Sequence, residues 1–285
     1  MRILVTGAAG MVGGVLAKQC RAAGDEVFAP GRMDLDISDA AQVAGVFAQT
    51  RPEAVINCAA WTDVDGCELD PTRSYAVHAE AVETLARESR RAGAAFLNIS
   101  TDYVFDGEKE GFYTQRADPN PQGAYARSKL AGERLAQNAY ARTIVVRTGW
   151  IFGPGGRNFL SRVVELARAG TPLRAIHNAY GTPTYAVDLA RRLRELVRLD
   201  LPGIYHVVNR GEGASYEDFT RVALAAAGME GTAVERVSAE TLSRPAPRPR
   251  NSRLRCLLSE VIGLEPLPPW QDALRTFVQG SGAGG

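Results

Sequence analysis

Over the first two-thirds of the chain, short apolar runs alternate with longer amphipathic stretches. The runs RILVT (2–6), EVFA (26–29), AVINC (54–58), AAFLNIS (94–100) and TIVVRT (143–148) read as buried strands. Between them, Met11, Val12, Val15, Leu16 and Cys20 share one helical face, as do Ala81, Leu85 and Ser89. Strands separated by helix-length segments imply parallel β-α-β units, whose crossovers are right-handed. Two such halves make a doubly wound parallel sheet, so the fold class is α/β.

Past Thr148 the rhythm loosens. GWIFGPGGRN is rich in turn formers, and the helix FLSRVVELARAG ends at Gly170 as a C-cap. VDLARRLRELVRL (187–199) and GIYHVV (203–208) form one more helix–strand unit able to rejoin the sheet. A final amphipathic helix lies near PWQDALRTFV, and GSGAGG ends the chain with nothing to bury. The pattern divides the chain into a dinucleotide-binding part, 1–150 rejoined by 177–208, and a smaller C-terminal substrate part, 151–176 and 209–280. A mobile tail, 281–285, completes the expectation.

Composition narrows the class. At 285 residues, with 45% hydrophobic and 23% charged residues, the chain is long enough to bury a sizeable core. A net charge of +1 gives no field favouring nucleic acid or an acidic membrane. Met1 leads straight into RILVTG without the pattern of a secretory signal, and no apolar run approaches the ~20 residues of a membrane span. The four cysteines, Cys20, Cys58, Cys67 and Cys256, show neither a C-x-x-C pair nor zinc spacing with the histidines. They read as core thiols of a cytoplasmic protein, with no metal expected.

VTGAAGMVG follows the first strand and opens the first helix, so Gly7, Gly10 and Gly13 form a G-x-x-G-x-x-G turn. Such a turn needs a tight bend, close backbone approach to a pyrophosphate and close helix–strand packing. The helix start adds free N–H groups and partial positive charge. Placed there, the glycines point to a Rossmann-type dinucleotide site. The second strand ends in FAPGRMDLD, with Pro30 and Gly31 where an acid for the ribose hydroxyls usually stands. Arg32 suits a 2′-phosphate and favours NADPH; Asp34 and Asp36 keep NADH open.

GAYARSKLAGE places Tyr125 and Lys129 one helical turn apart. Only Lys18, Lys109 and Lys129 are lysines among 33 basic residues, so a lysine here is conspicuous. A free phenol titrates near 10, and a neighbouring ammonium favours its ionised form. The pair is thereby expected to make a proton donor better matched to neutral pH. Alone the pair reads as an ordinary surface contact sooner than as a proton donor. The context decides: STDYVFDG puts Thr101 at the carboxyl end of the fourth strand, where ligands bind in such sheets. Thr, Tyr and Lys in these places resemble the acid–base set of the short-chain dehydrogenase/reductases.

The resemblance goes further. AAWTDVDGCELDP, STDYVFDG, YARSKLAGE, RTGWIFG, YGTPTYAVDLA, GIYHVVNRGEGASYEDF and PRPRNSRL occur in this order. Together they resemble the dTDP-4-dehydrorhamnose reductase family over nearly the whole chain. The resemblance implies NADPH-dependent reduction of the C4 ketone of dTDP-4-dehydro-L-rhamnose. It implies Tyr125 as proton donor, Lys129 on the nicotinamide ribose and Thr101 on the keto oxygen. Cofactor contacts would fall on Gly10, Met11, Val12, Asp36, Ile37, Ala60, Trp61, Thr62 and Ile99. Asp102 and Trp150 would touch the sugar, with Tyr103 beside them. In RPAPRPRNSRLR, Arg248 and Asn251 are the expected substrate contacts, the other arginines a solvated basic loop. The expected partner is a nucleotide-sugar, with a homodimer left open.

One stretch departs from the family. His177, Asn178 and Ala179 precede Tyr180 where an Asp-Gln pair is usual, leaving the exact sugar open. Related 4,6-dehydratases carry an Asp-Glu pair after the Thr, whereas Tyr103 follows Asp102 here. A 4-epimerase, or a regulatory subunit on the same scaffold like that of methionine adenosyltransferase, are the remaining rivals.

Overall fold

A computed structural model describes residues 1–282. The five apolar runs become β1 (Arg2–Thr6), β2 (Glu26–Phe28), β3 (Ala54–Asn57), β4 (Ala95–Thr101) and β5 (Thr143–Thr148), each within one residue of its predicted ends. Shorter strands follow: β6 (Ile151–Phe152), β7 (Leu173–Ile176), β8 (Tyr180–Gly181), β9 (Thr184–Tyr185), β10 (Gly203–His206), β11 (Ala214–Ser215) and β12 (Val234–Val237). The helices are α1 (Met11–Ala22), α2 (Ala40–Thr50), α3 (Val64–Leu69), α4 (Pro71–Tyr75) and α5 (Ala81–Ala92), with a π-helical turn, Ala76–Glu80, joining the last two. Further on come α6 (Ala124–Ala139), α7 (Phe159–Arg168), α8 (Ala186–Leu199), α9 (Tyr216–Ala226) and α10 (Trp270–Gly282).

The main sheet runs β2-β1-β3-β4-β5-β10, every neighbouring pair parallel. Side chains alternate between its faces, as a period of two requires. Ile3, Val5, Ile56 and Leu97 meet Leu16 and Cys20 of α1 and Leu189 and Leu193 of α8. Leu4, Val55 and Phe96 meet Val43 and Phe47 of α2 and Val82 and Leu85 of α5. Both faces are therefore dry, which is why the strands read as unbroken apolar runs. Strand order reverses between β1 and β3, and this switch point opens a crevice at the carboxyl ends of the strands.

The smaller part has its own core, in which Phe152, Leu160, Phe219, Trp270 and Leu274 draw α7, α9 and α10 together. The strands outside the main sheet pair two by two: β6 with β9, β7 with β12, and β8 with β11. Helix ends follow local chemistry. Ser215 and Asp218 close a reciprocal capping box on α9, and Gly93 and Gly170 stop helices at positive φ. Of the predicted tail, 283–285 lie outside the described residues, while α10 reaches Gly282. Among the described residues no helix is long and apolar enough to cross a membrane.

Candidate active site

A cavity of about 1200 Å³ occupies the crevice between the glycine-rich turn and the smaller part. Gly7 has φ +67°, and a Cβ there would lie 2.6 Å from the Ala59 nitrogen. A Cβ on Gly13 would lie 2.4 Å from the Gly7 carbonyl oxygen, so the first turn of α1 can press on the bend only without a side chain. Gly10 caps α1 with no side-chain bond, leaving the leading N–H groups turned to the cavity. This cradle, whose close backbone packing leaves no room for a Cβ on Gly7 or Gly13, fits a dinucleotide pyrophosphate.

The predicted cofactor positions gather on this cavity. Met11 and Val12 line it beside the glycines, Arg32, Asp36 and Ile37 line one end, and Ala60, Trp61, Thr62 and Ile99 line its floor. Of the two open carboxylates, Asp36 faces the cavity, whereas Asp34 accepts from the Gly31 N–H at 3.1 Å. The lining is basic: Arg32, Arg73, Arg157, Arg174, Arg244 and Lys129 outnumber Asp36 and Asp102 among the described residues. Such a surface suits phosphorylated ligands.

Thr101, Tyr125 and Lys129 line the same cavity. Thr101 ends β4, and its hydroxyl donates to Asp102 Oδ1 at 3.1 Å while accepting the Tyr103 N–H. Tyr125 lies in the first turn of α6, its ring edge-on to His78 at 5.3 Å and to Tyr103 at 6.3 Å. Lys129 is buried and donates to the Ile99 carbonyl at 2.6 Å. The sequence led us to expect an ammonium pulling the phenol down; the electrostatics run the other way. Burial, then the Asp102 carboxylate, hold the Tyr125 phenol above its ordinary value, against the opposing Thr101 hydroxyl. Burial likewise draws Lys129 down to about 8. Desolvation is the largest influence on both groups.

The sugar-side positions divide. Asp102, Tyr103 and Trp150 line the cavity. Asp102 is pushed up to about 7, mainly by burial, and its Oδ2 meets no hydrogen-bond partner of good geometry among the described residues. Trp150 holds a left-handed backbone, φ +50°, sparsely populated for a bulky residue. Its indole lies on Tyr216, ring centroids 4.1 Å apart, and is backed by Gly181, where a Cβ would sit 2.0 Å from Nε1.

Arg248 and Asn251 are not brought to the cavity. Arg248 holds Asp65 of α3 with both guanidinium nitrogens. Asn251 gives its amide to the Lys109 and Gly111 carbonyls at 2.6 and 2.7 Å and takes the Arg253 N–H groups on Oδ1. With those groups satisfied inside the protein, Asn251 is a tie between loops. Arg244, which the sequence left in the solvated loop, lines the cavity instead, with Tyr216, Arg157 and Arg174. His78 was also missed. Burial holds it down to about 3, so it is neutral, and its Nε2 accepts the Trp61 N–H at 3.0 Å. Its place on the π-helical turn has no signature in the sequence; π-bulges are frequent at functional sites.

A doubly wound sheet with a glycine cradle at its switch point defines a dinucleotide-binding protein of the Rossmann type. The comparisons specify which one. Residues 1–282 match the family model described as the RmlD substrate binding domain, and the chain belongs to that family. A dTDP-4-dehydrorhamnose reductase of Streptomyces griseus is 38% identical over 279 residues, 96% of this chain and 91% of that protein. The crystal structure of a dTDP-4-dehydrorhamnose reductase of Clostridium acetobutylicum superposes with a TM-score of 0.94 at 34% identity, over 99% of this chain and 100% of the other. The reductase of Bacillus anthracis, solved in complex with NADP, gives 0.94 at 31% identity over 98% and 99%.

Proposed function

We propose that this protein reduces the C4 ketone of dTDP-4-dehydro-L-rhamnose to dTDP-L-rhamnose, using NADPH. The observation that carries this reading is that Thr101, Tyr125 and Lys129 line one cavity with the glycine cradle. Family membership and the NADP-bound relative support the reaction class and the cofactor.

The glycine turn, Arg32 and Asp36 would hold the dinucleotide, and Lys129 its nicotinamide ribose. Bound NADPH supplies the hydride. Tyr125 supplies the proton. A phenol whose pKa is raised is fully protonated at neutral pH, so it stands ready to give its proton to the alkoxide oxygen. Thr101 orients that oxygen with its hydroxyl, beside Tyr125. Once the proton has left, the buried phenolate needs a compensating charge, and Lys129 one helical turn away supplies it. In this reading the smaller part, 151–176 and 209–280, presents the sugar nucleotide, with Trp150 against the pyranose and Arg244 toward the diphosphate.

The test is NADPH oxidation with enzymatically prepared dTDP-4-dehydro-L-rhamnose, wild type against Tyr125→Phe. The variant is expected to lose about 10²–10⁴-fold in turnover with cofactor affinity unchanged. Equal rates would remove Tyr125 as the donor. Turnover only of another 4-keto sugar nucleotide would move the assignment to a different ketoreductase. That outcome has a structural basis in the 177–179 departure. Asn178 there binds Ser238 and Glu240 and so fastens the turn next to Val237 and Leu242, which line the cavity.

A further inference from the structure

Behind the acid–base pair, the same face of α6 carries a third ionisable group. Tyr125, Lys129 and Glu133 follow at four-residue spacing and so form one stripe along the helix. The stripe turns inward: Lys129 is 3% exposed and Glu133 1%. Lys18 and Lys109, by contrast, are exposed. Glu133 is held from the sheet. Ser100 of β4 donates its hydroxyl to Oε1. Arg147 of β5 grips both oxygens, Nε to Oε1 at 3.0 Å and Nη2 to Oε2 at 2.7 Å. Ser100 and Arg147 are register partners across the β4–β5 pair, so two adjacent strands fix one carboxylate.

A buried ion pair of this kind is a poor device for stability alone, because apolar residues of similar volume often do as well or better. Its position offers another use. We infer that Glu133, clamped by Ser100 and Arg147, is a positioning residue that keeps the buried Lys129 charged one helical turn behind Tyr125.

The groups acting on Lys129 come from several elements. Glu133 shares its helix, Cys58 directly follows β3, Cys67 lies in α3 and His78 in the π-helical turn. Burial keeps both thiols protonated, Cys58 pushed up to about 12, and keeps His78 neutral. Glu133 is therefore the group in this set that bears a negative charge at neutral pH. It is also the largest influence opposing the desolvation that draws Lys129 down to about 8. At that value a modest further loss would discharge the ammonium at working pH.

The bearing on turnover rests on the reductase reading; the effect on Lys129 itself does not. With three lysines in the chain, ¹³Cε-lysine NMR of the full-length protein resolves each titration, Lys18→Arg and Lys109→Arg giving the assignment. Glu133→Gln is expected to lower the Lys129 midpoint by about one pH unit or more, a tenfold loss in proton affinity. Glu133→Asp is expected to recover part of it. If Glu133→Gln, which strands Arg147, fails to fold, Glu133→Gln/Arg147→Met removes both buried charges and carries the test. The midpoint is then expected to stay below the wild-type value despite restored stability. A wild-type midpoint in the folded double variant, or in Glu133→Gln itself, overturns the inference and leaves a structural ion pair. A lowered midpoint in a protein that reduces no sugar nucleotide would sink the reductase reading and leave this one standing.

Discussion

Arg248 and Asp65 form a two-pronged ion pair that pins the Arg/Pro-rich segment to α3, Nη1 to Oδ1 at 2.5 Å and Nη2 to Oδ2 at 2.9 Å. The same carboxylate accepts the Ala246 N–H, so the segment is fastened at two points. That fastening decides which arginine reaches the cavity. It is Arg244, upstream of the clamp.

The two arginines should therefore fail differently. Arg244→Ala is expected to raise KM for the sugar nucleotide about tenfold or more, the cost of one charge-assisted contact to a phosphate, with little change in melting temperature. Arg248→Ala should loosen the segment, and its KM should recover in part when Arg248→Lys restores one prong. Steady-state kinetics with a thermal melt on each variant separates the cases. Equal KM effects with no change in stability for Arg248→Ala would mean that both arginines contact substrate.

Gly13→Ala places a methyl 2.4 Å from the Gly7 carbonyl oxygen, inside any permitted contact. Either α1 backs away from the turn or the turn shifts into the cradle. NADPH affinity is expected to fall by about tenfold or more, while Gly14→Ala, whose Cβ would meet Ala8 O at 3.2 Å, should be milder. Isothermal titration with NADPH reads both. Unchanged affinity in Gly13→Ala would mean that the cradle is no dinucleotide site.

Acid should loosen the protein before its surface carboxylates titrate. Burial holds His78 and His206 down to about 3, so between about 3 and the ordinary histidine value near 6.5 the unfolded chain binds two protons that the folded one refuses. Their stabilisation is present above about 6.5 and is lost as pH falls. Asp102 acts oppositely. Raised to about 7, it holds a proton in the folded state that the unfolded chain releases above about 4, so its stabilisation is lost as pH rises through 7. Two against one leaves a net loss of roughly 1–2 kcal/mol from pH 7 to pH 5. Asp102→Asn removes the opposing group and should about double that loss. Urea midpoints at the two pH values test this, and a flatter profile in Asp102→Asn would contradict it.

What could be read beforehand was what local pattern encodes. Apolar runs located β1 to β5, and glycine spacing located the cradle, because both constraints act within a dozen residues. The two-residue strands β6, β8, β9 and β11 contain no period to detect. The placement of Arg248 and Asn251 away from the cavity lining was not legible, because the route of an extended, proline-rich segment is set by contacts such as that with α3, some 180 residues earlier in the chain. The phenol's shift was misjudged for a related reason. Spacing on a helix reveals a neighbour's charge but says nothing of the desolvation that dominates the shift.

The last strand of the main sheet has a consequence for how the protein is made. β10 pairs Gly203–His206 with Ile144–Arg147 of β5. While the chain emerges from the ribosome, β5 therefore waits with a bare edge through more than fifty further residues, an open template for another nascent chain. A fragment cut at residue 150 would keep that edge for good, and self-association is its expected fate. The dinucleotide half cannot be completed without residues made long after it.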